Sequence, residues 1–177
     1  MPPITRRSML AKTSALGGLA FEPSAQPREE PRKLKIIVTG GHPGDPEYGC
    51  GGTIARFADL GHRVVSLYLN QGEKPEDPPE NAGKLREAEA IRACAILKAD
   101  ARFAGQRDGK AIVDALHYES FRAILQNEAP DAVFTHWPID NHADHRAIFM
   151  LVYDAWLKMG KTAALYFYEV SNGEDTM

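Results

Sequence analysis

Histidines and aspartates cluster in two short segments of this sequence, and both residue types can bind a metal ion. The first segment carries His42 and Asp45, and the second carries His142, Asp144 and His145. Two imidazole nitrogens and one carboxylate oxygen, with a fourth position open, form the ligand set of a catalytic zinc site. His42, Asp45 and His145 fit this set. His142 would then lie near the metal as a proton donor or acceptor, and Asp144 is suited to orient an imidazole.

Each segment also has a simpler explanation. A histidine after a strand is usually a loop residue, and the Asp140-Asn141 pair is typical of a helix cap, with Asn141 as the N-cap. His136 and Trp137 are explained equally well as the end of a strand. The metal-site interpretation becomes much stronger if the fold brings the two segments together.

Alternating apolar runs and helical periodicity predict the elements that would position these segments. Strands are predicted over Leu34–Thr39, Arg63–Leu69, Ala101–Ala104, Ala132–Thr135 and Ala164–Val170, with helices over 51–60, 84–98, 115–127 and 142–157. This order indicates an α/β, Rossmann-like three-layer fold with a mostly parallel sheet. Ligands bind such sheets at the carboxyl ends of the strands, so the two segments are expected to meet there.

The same periodicity predicts which side chains the helices bury. The second helix is expected to bury Leu85, Ala88, Ile91, Ala95 and Ile96, and the third to bury Phe121, Ile124 and Leu125. The first helix is expected to begin only near Gly51, after a glycine-rich loop over residues 40–52.

Length and composition restrict the class of protein. The chain of 177 residues suits one domain, and its net charge of −3 without a basic patch in the fold argues against a nucleic-acid partner. Cys50 and Cys94 are too few for a disulfide framework. No apolar run is long enough to span a membrane. The oligomeric state is left open by the sequence.

The two ends of the chain differ from its middle. Residues 5–12 read Thr-Arg-Arg-Ser-Met-Leu-Ala-Lys, which is typical of a twin-arginine export signal, and a Pro-rich linker follows. We therefore expect residues 1–32 to be signal and linker, residues 33–177 to be the domain, and the protein to be periplasmic. Without a working signal it would be cytoplasmic. The polar ending over residues 172–177 fits a true terminus or a C-terminal truncation.

The two segments resemble motifs of the PIG-L/LmbE-like N-acetylglucosaminyl deacetylases. The first motif reads His42-Pro43-Gly44-Asp45-Pro46-Glu47, followed by Gly51-Gly52, and the second reads His142-Ala143-Asp144-His145-Arg146. The resemblance covers residues 34–177 and implies zinc ligands at His42, Asp45 and His145, although another divalent ion would accept the same ligands. It also implies that His142 stabilises an oxyanion or protonates the leaving amine, with Asp144 orienting it.

The resemblance also implies a small N-acetylated substrate, such as an amino sugar. Glu73 and Arg86 match positions around the family's pocket, and Arg86 is expected to contact the substrate. A solvated helix face would explain Arg86 equally well.

One departure from the family pattern concerns catalysis directly. The family's general base is an aspartate at the position of Gly44, and glycine has no side chain to accept a proton. Two hypotheses follow: a zinc-dependent amide hydrolase that uses another base, such as His142, Asp140 or Glu73, or a catalytically impaired metal-binding protein. A nucleotide-binding Rossmann domain is a third interpretation, but the glycine spacing does not match its phosphate-binding motif.

Overall fold

A computed structural model of the chain describes residues 32–74, 78, 81 and 83–170. The strands are β1 (Lys35–Gly40), β2 (Arg63–Asn70), β3 (Asp100–Gln106), β4 (Ala132–His136) and β5 (Ala164–Tyr168). The helices are α1 (Asp45–Asp59), α2 (Lys84–Leu97), α3 (Ala115–Glu128) and α4 (Ala143–Lys158). Within these described ranges, no helix combines the length and the apolar character that crossing a membrane requires. The predicted export signal lies outside them and stays a prediction.

The five strands form one parallel sheet in the order β3-β2-β1-β4-β5. The predicted α/β three-layer fold is therefore confirmed. The chain adds strands outward from β1 to β3 and then crosses back to place β4 on the other side of β1. Connections leave β1 and β4 in opposite directions, which opens a crevice outside their carboxyl ends. Ligands bind at such switch points in parallel sheets.

Side chains of both sheet faces are buried under helices, which explains the nearly continuous apolar runs of the central strands. On one face Ile37 and Val65 pack with residues of α3 and α4, including Phe121 and Leu125. On the other face Ile36 and Val38 pack with Cys50 and Ile54 of α1. Phe121 and Leu125 are buried as predicted, and Ile124 packs against the same core.

Helix α1 begins six residues before the predicted start, at Asp45 instead of Gly51. Its first turn contains Asp45, Pro46 and Glu47. Proline suits the first turn of a helix, and acidic residues there interact favourably with the helix dipole. Gly49, Gly51 and Gly52, which suggested a loop, lie inside the helix instead, and packing requires the first of them to be glycine. A Cβ at Gly49 would lie 2.4 Å from the Tyr168 ring, so glycine lets α1 approach β5 closely.

Helix α2 buries a different face from the one predicted. Its buried residues are Ala90 and Cys94, which pack against Tyr68, whereas Leu85, Ile91 and Ile96 are exposed. The large ring of Tyr68 occupies the space between helix and sheet, so only small side chains fit opposite it. Cys50 and Cys94 are both free and buried.

Candidate active site

The Asp45 carboxylate is the point where the two predicted segments meet. Asp45 is the first residue of α1 and is buried. Its Oδ2 accepts a hydrogen bond from the backbone N–H of His42 (2.8 Å). The same oxygen lies 3.4 Å from His42 Nδ1, 3.2 Å from His145 Nε2 and 3.3 Å from His136 Nε2. Asp45 thus contacts both of the other predicted ligands, His42 and His145, whose ring centroids lie 5.3 Å apart.

Two further carboxylates hold the outer nitrogens of these imidazoles. Asp140 Oδ2 lies 3.0 Å from His145 Nδ1, and Asp144 Oδ2 lies 3.2 Å from His42 Nε2. Asp144 is buried and also accepts hydrogen bonds from Asn70 Nδ2 (3.0 Å) and the backbone N–H of Gly109 (2.8 Å). Carboxylates in this position fix the orientation of a metal-binding imidazole. Asp144 therefore lies against His42 as an orienting group.

His142 lies beside the cluster and caps helix α4, which corrects the prediction that Asn141 is the N-cap. Its Nδ1 accepts the backbone N–H of Asp144 at 3.2 Å. In a neutral ring this leaves the proton on Nε2, which is then free to donate. The ring centroid lies 4.6 Å from that of His42 and 4.9 Å from that of His145. An imidazole could replace asparagine because its Nδ1 reaches the same backbone donor.

The electrostatics of the cluster favour positive charge on two imidazoles. Burial opposes protonation of His42, but hydrogen bonds to Asp144 and Asp45 outweigh it and raise its pKa to about 10. Burial likewise opposes protonation of His145, yet Asp45 and Asp140 raise its pKa. Burial alone would raise the pKa of Asp45, but its histidine partners hold that pKa well below the usual range. The carboxylates of the cluster therefore stabilise positive charge on the imidazoles.

His136 and His142 behave differently from the other two histidines. Burial lowers the pKa of His136, which stacks on His145 at a centroid distance of 3.9 Å. Burial and the positive charge of His42 and His145 lower the pKa of His142. The His136 Nε2 also accepts the backbone N–H of Gly41 at 3.2 Å. This contact links the end of β4 to the loop after β1.

Comparison with known proteins agrees with the geometry. The family model of PIG-L, the GlcNAc-PI de-N-acetylases, matches residues 37–156. This chain belongs to the PIG-L family. The match confirms the resemblance seen in the two motifs, and it includes α1, β4 and most of α4.

Individual relatives carry deacetylase names. The chain is 28% identical over 124 residues to the uncharacterized deacetylase YaiS of Escherichia coli, covering 67% of this chain and 65% of that protein. It is 36% identical over 83 residues to 1D-myo-inositol 2-acetamido-2-deoxy-alpha-D-glucopyranoside deacetylase 1 of Saccharopolyspora erythraea, covering 40% of this chain and 27% of that protein. The chain therefore spans less than two thirds of the length of either relative.

A solved structure shares both fold and sequence. The conserved protein TT1542 from Thermus thermophilus superposes with a TM-score of 0.65 at 30% identity. The match covers 78% of this chain and 67% of that one.

The donor atoms of this PIG-L chain suit a divalent metal ion. Among the described residues, three sets of donors lie within 4.8 Å of one another: His42, His142 and His145; Asp45, His136 and His145; and His42, Asp108 and Asp144. Each set contains one or two of the predicted ligands His42, Asp45 and His145, and none of the three sets contains all of them. Imidazole nitrogen with carboxylate oxygen suits zinc and several other divalent metals. A divalent cation would take the place of the protons that the carboxylates favour on these imidazoles, because imidazole binds a metal through an unprotonated nitrogen. Metal binding is thus chemically reasonable at this site.

Arg86 and Glu73, the predicted substrate contacts, both bond to loops around the cluster. The Arg86 guanidinium donates to the backbone carbonyl of Pro43 at 2.7 Å and is half-buried. Glu73 Oε1 accepts the backbone N–H of Asp108 at 3.2 Å, while its Oε2 is buried without a hydrogen-bond partner. Both residues hold loops that surround the cluster. Their contact with a substrate stays a prediction.

The alternative bases named from the sequence are committed to other partners. Asp140 bonds to His145 and to the backbone N–H of His142 (2.8 Å), and Glu73 bonds to the backbone of Asp108. Gly44 has φ +108°, a conformation that residues with a side chain rarely adopt, although no heavy atom would lie within 4 Å of its Cβ. The backbone conformation at position 44 therefore favours glycine, the residue without a side chain.

Two residues of the site were not assigned from the sequence. His136 was explained as a strand end, and it is fully buried against Asp45 and His145. Asp108 follows β3 and reaches His42 Nε2 with its Oδ1 at 3.0 Å. The turn Arg107-Asp108-Gly109 after a strand was the available signal. It was missed because β3 was predicted to end at Ala104, two residues too early.

Proposed function

We propose that this chain is a zinc-dependent hydrolase that removes the N-acetyl group of an amino sugar or a related small molecule. The observation that carries the proposal is the buried Asp45 carboxylate, whose Oδ2 lies within 3.4 Å of nitrogens from three histidines. Such a cluster at the carboxyl ends of β1 and β4 lies where parallel sheets bind ligands.

The relatives support the choice of substrate class. The name of the Saccharopolyspora erythraea relative describes a deacetylase of a 2-acetamido-2-deoxy sugar. An acetamido group offers one carbonyl oxygen and one nitrogen, both of which must be bound during hydrolysis. The crevice outside β1 and β4 offers both donors and carboxylates for this purpose.

His42, Asp45 and His145 would hold the metal. When bound, zinc would polarise the amide carbonyl and lower the pKa of its water toward about 7. Asp144 and Asp140 fix the two imidazoles through their outer nitrogens. His142 presents an Nε2 proton beside the cluster because its Nδ1 accepts the N–H of Asp144, so it is suited to donate a hydrogen bond to an oxyanion.

The test combines metal analysis with an activity assay. Purified chain should contain about one zinc ion, measured by elemental analysis, and should release amine from N-acetylglucosamine or its glycosides. His145→Ala should lose both the metal and the activity, whereas His117→Ala is a matched control. His117 lies on α3 and contacts Asp114 outside the cluster. Folded protein that binds no metal would refute the proposal.

The absence of a side chain at Gly44 supports a second candidate, a metal-binding protein with impaired catalysis. Such a protein would bind zinc and an N-acetylated sugar without hydrolysing it. Calorimetric binding of the sugar to zinc-loaded protein, together with no amine release over long incubation, would favour this alternative.

A further inference from the structure

We propose that His136 is a positioning residue of the metal site, whose stacked ring fixes the orientation of the proposed ligand His145, and that His136 does not itself bind the ion. The inference rests on the proposed function, since it concerns the ion that the hydrolase would use. It adds a residue from the end of β4, which lies outside both sequence motifs.

The His145 ring packs on a ring that two neighbouring strands hold in place. The centroids of the His136 and His145 rings lie 3.9 Å apart, and their planes differ by 11°. The ring of Tyr168, the last residue of β5, packs against His136 at a centroid distance of 4.9 Å. The Tyr168 hydroxyl donates to the backbone carbonyl of Thr39 in β1 at 2.6 Å. His136 and Tyr168 are both buried, so the sheet holds the surface on which His145 rests.

The same stacking argues against His136 as a ligand, although its nitrogen lies near those of the cluster. Imidazole binds zinc through a lone pair in the plane of its ring, at a distance of about 2.0–2.1 Å. Because the two rings are nearly parallel, an ion in the plane of the His145 ring would lie well outside the plane of the His136 ring. His136 Nε2 also accepts the backbone N–H of Gly41 at 3.2 Å.

The remaining contacts of His145 hold the edge of its ring and leave its tilt to His136. Asp140 Oδ2 lies 3.0 Å from Nδ1, and Asp45 Oδ2 lies 3.2 Å from Nε2. Contacts at these two nitrogens fix both atoms but allow the ring to tilt about the line that joins them. The other two imidazoles of the cluster are inclined to the His145 ring by 58° and 37°, whereas His136 lies flat against it. Packing of this kind locks the geometry of a ligand before the ion arrives.

The test compares two substitutions in the full chain, each of which keeps one contact of His136. His136→Gln keeps an oxygen that can accept the N–H of Gly41 but removes the ring, whereas His136→Phe keeps a flat ring and removes the acceptor. We expect His136→Gln to weaken zinc binding by about 10–100-fold, as the loss of a residue that orients a metal-bound histidine usually does. His136→Phe should stay closer to the wild-type affinity. Competition with a zinc chelator measures the affinity.

Two further measurements separate positioning from ligation and from general packing. X-ray absorption of zinc-loaded protein counts the imidazole ligands, and the count should be the same in the wild type and in His136→Gln. Phe134→Leu is the matched control, because it removes a ring that stacks on Tyr166 between the same two strands, at 4.8 Å and 22°. This control should keep the wild-type zinc affinity. Circular dichroism and urea unfolding of the metal-free variants verify the fold.

Several results would overturn the inference. One imidazole fewer in zinc-loaded His136→Gln would show that His136 is a ligand, and wild-type affinity in this folded variant would show that the stack does not position His145. A larger loss in His136→Phe would assign the role to the bond with Gly41. An equal loss in Phe134→Leu would show an effect of packing in general.

The zinc affinity is measured apart from turnover, so the two proposals can fail separately. A wild type that binds zinc but hydrolyses no amide would refute the proposed function, and the comparison of affinities would still decide the role of His136. Folded wild type that binds no zinc would overturn both.

Discussion

The loops after β1 and β4 meet at one cluster but differ in how complete they are. The loop after β4 retains Asp140, His142, Asp144 and His145, and each makes a hydrogen bond within the cluster. The loop after β1 retains His42 and Asp45 but has Gly44 where the family pattern has an aspartate. Two of the three proposed metal ligands lie in the loop after β1 and one lies in the loop after β4, so all three are retained, and the departure at Gly44 removes only a side chain that would move a proton.

The two proposed tasks of the site, metal binding and proton transfer, therefore depend on different structural conditions. The predicted ligands are interlocked, because Asp45 contacts three histidines at once, and loss of one would leave buried charges without partners. Position 44 contacts little, since no heavy atom would lie within 4 Å of a Cβ there. A side chain can therefore be absent at position 44 without any change in the contacts within the cluster.

The largest expected effect is at the interlocked ligands. Asp45→Asn keeps the size of the side chain but removes the charge that three histidines share. Zinc content should fall to background, and hydrolysis with it, because the variant lacks the carboxylate oxygen of the ligand set. Elemental analysis and amine release measure both. Retention of a full equivalent of zinc would show that the donors include His136 or His142 instead of Asp45.

An intermediate effect is expected from a residue that only orients a ligand. Asp140→Asn weakens the hold on His145 Nδ1, which lies 3.0 Å away. Metal affinity or activity should fall by about 10–100-fold, as is usual for partners of metal-bound histidines. Competition with a zinc chelator measures the affinity. An effect as large as that of Asp45→Asn would place Asp140 among the ligands.

The smallest effect is expected at Gly44. If another group already takes the proton of the attacking water, Gly44→Asp should change hydrolysis by less than about tenfold, a barrier change under about 1.4 kcal/mol. The variant should lose about 1–3 kcal/mol of stability in urea unfolding, because φ is +108° there. A rise in rate of two decades or more would contradict this expectation and favour an enzyme that is impaired by the absence of a base at Gly44. Gly44→Ala separates the backbone cost from the added carboxylate.

Much of the fold was predictable because burial on both sheet faces leaves a strong pattern. All five strands and four helices were predicted in order, as were the buried Phe121 and Leu125 of α3. The errors occurred where local pattern and packing disagree. Glycines suggested a loop before Gly51, but Gly49 is required by the close approach of Tyr168. The apolar side of α2 is exposed because Tyr68 leaves room only for Ala90 and Cys94.

The sequence by itself determined the α/β fold, the family and the group of His42, Asp45, His142, Asp144 and His145, since residue types and spacing carry that information locally. Only the tertiary structure showed that His136 contacts Asp45 and that Asp108 reaches His42, 66 positions earlier in the chain. The reason is physical: the parallel sheet brings the ends of β1, β3 and β4 to one edge. Which side chains touch there depends on strand order, loop closure and burial, which no single segment of the chain encodes.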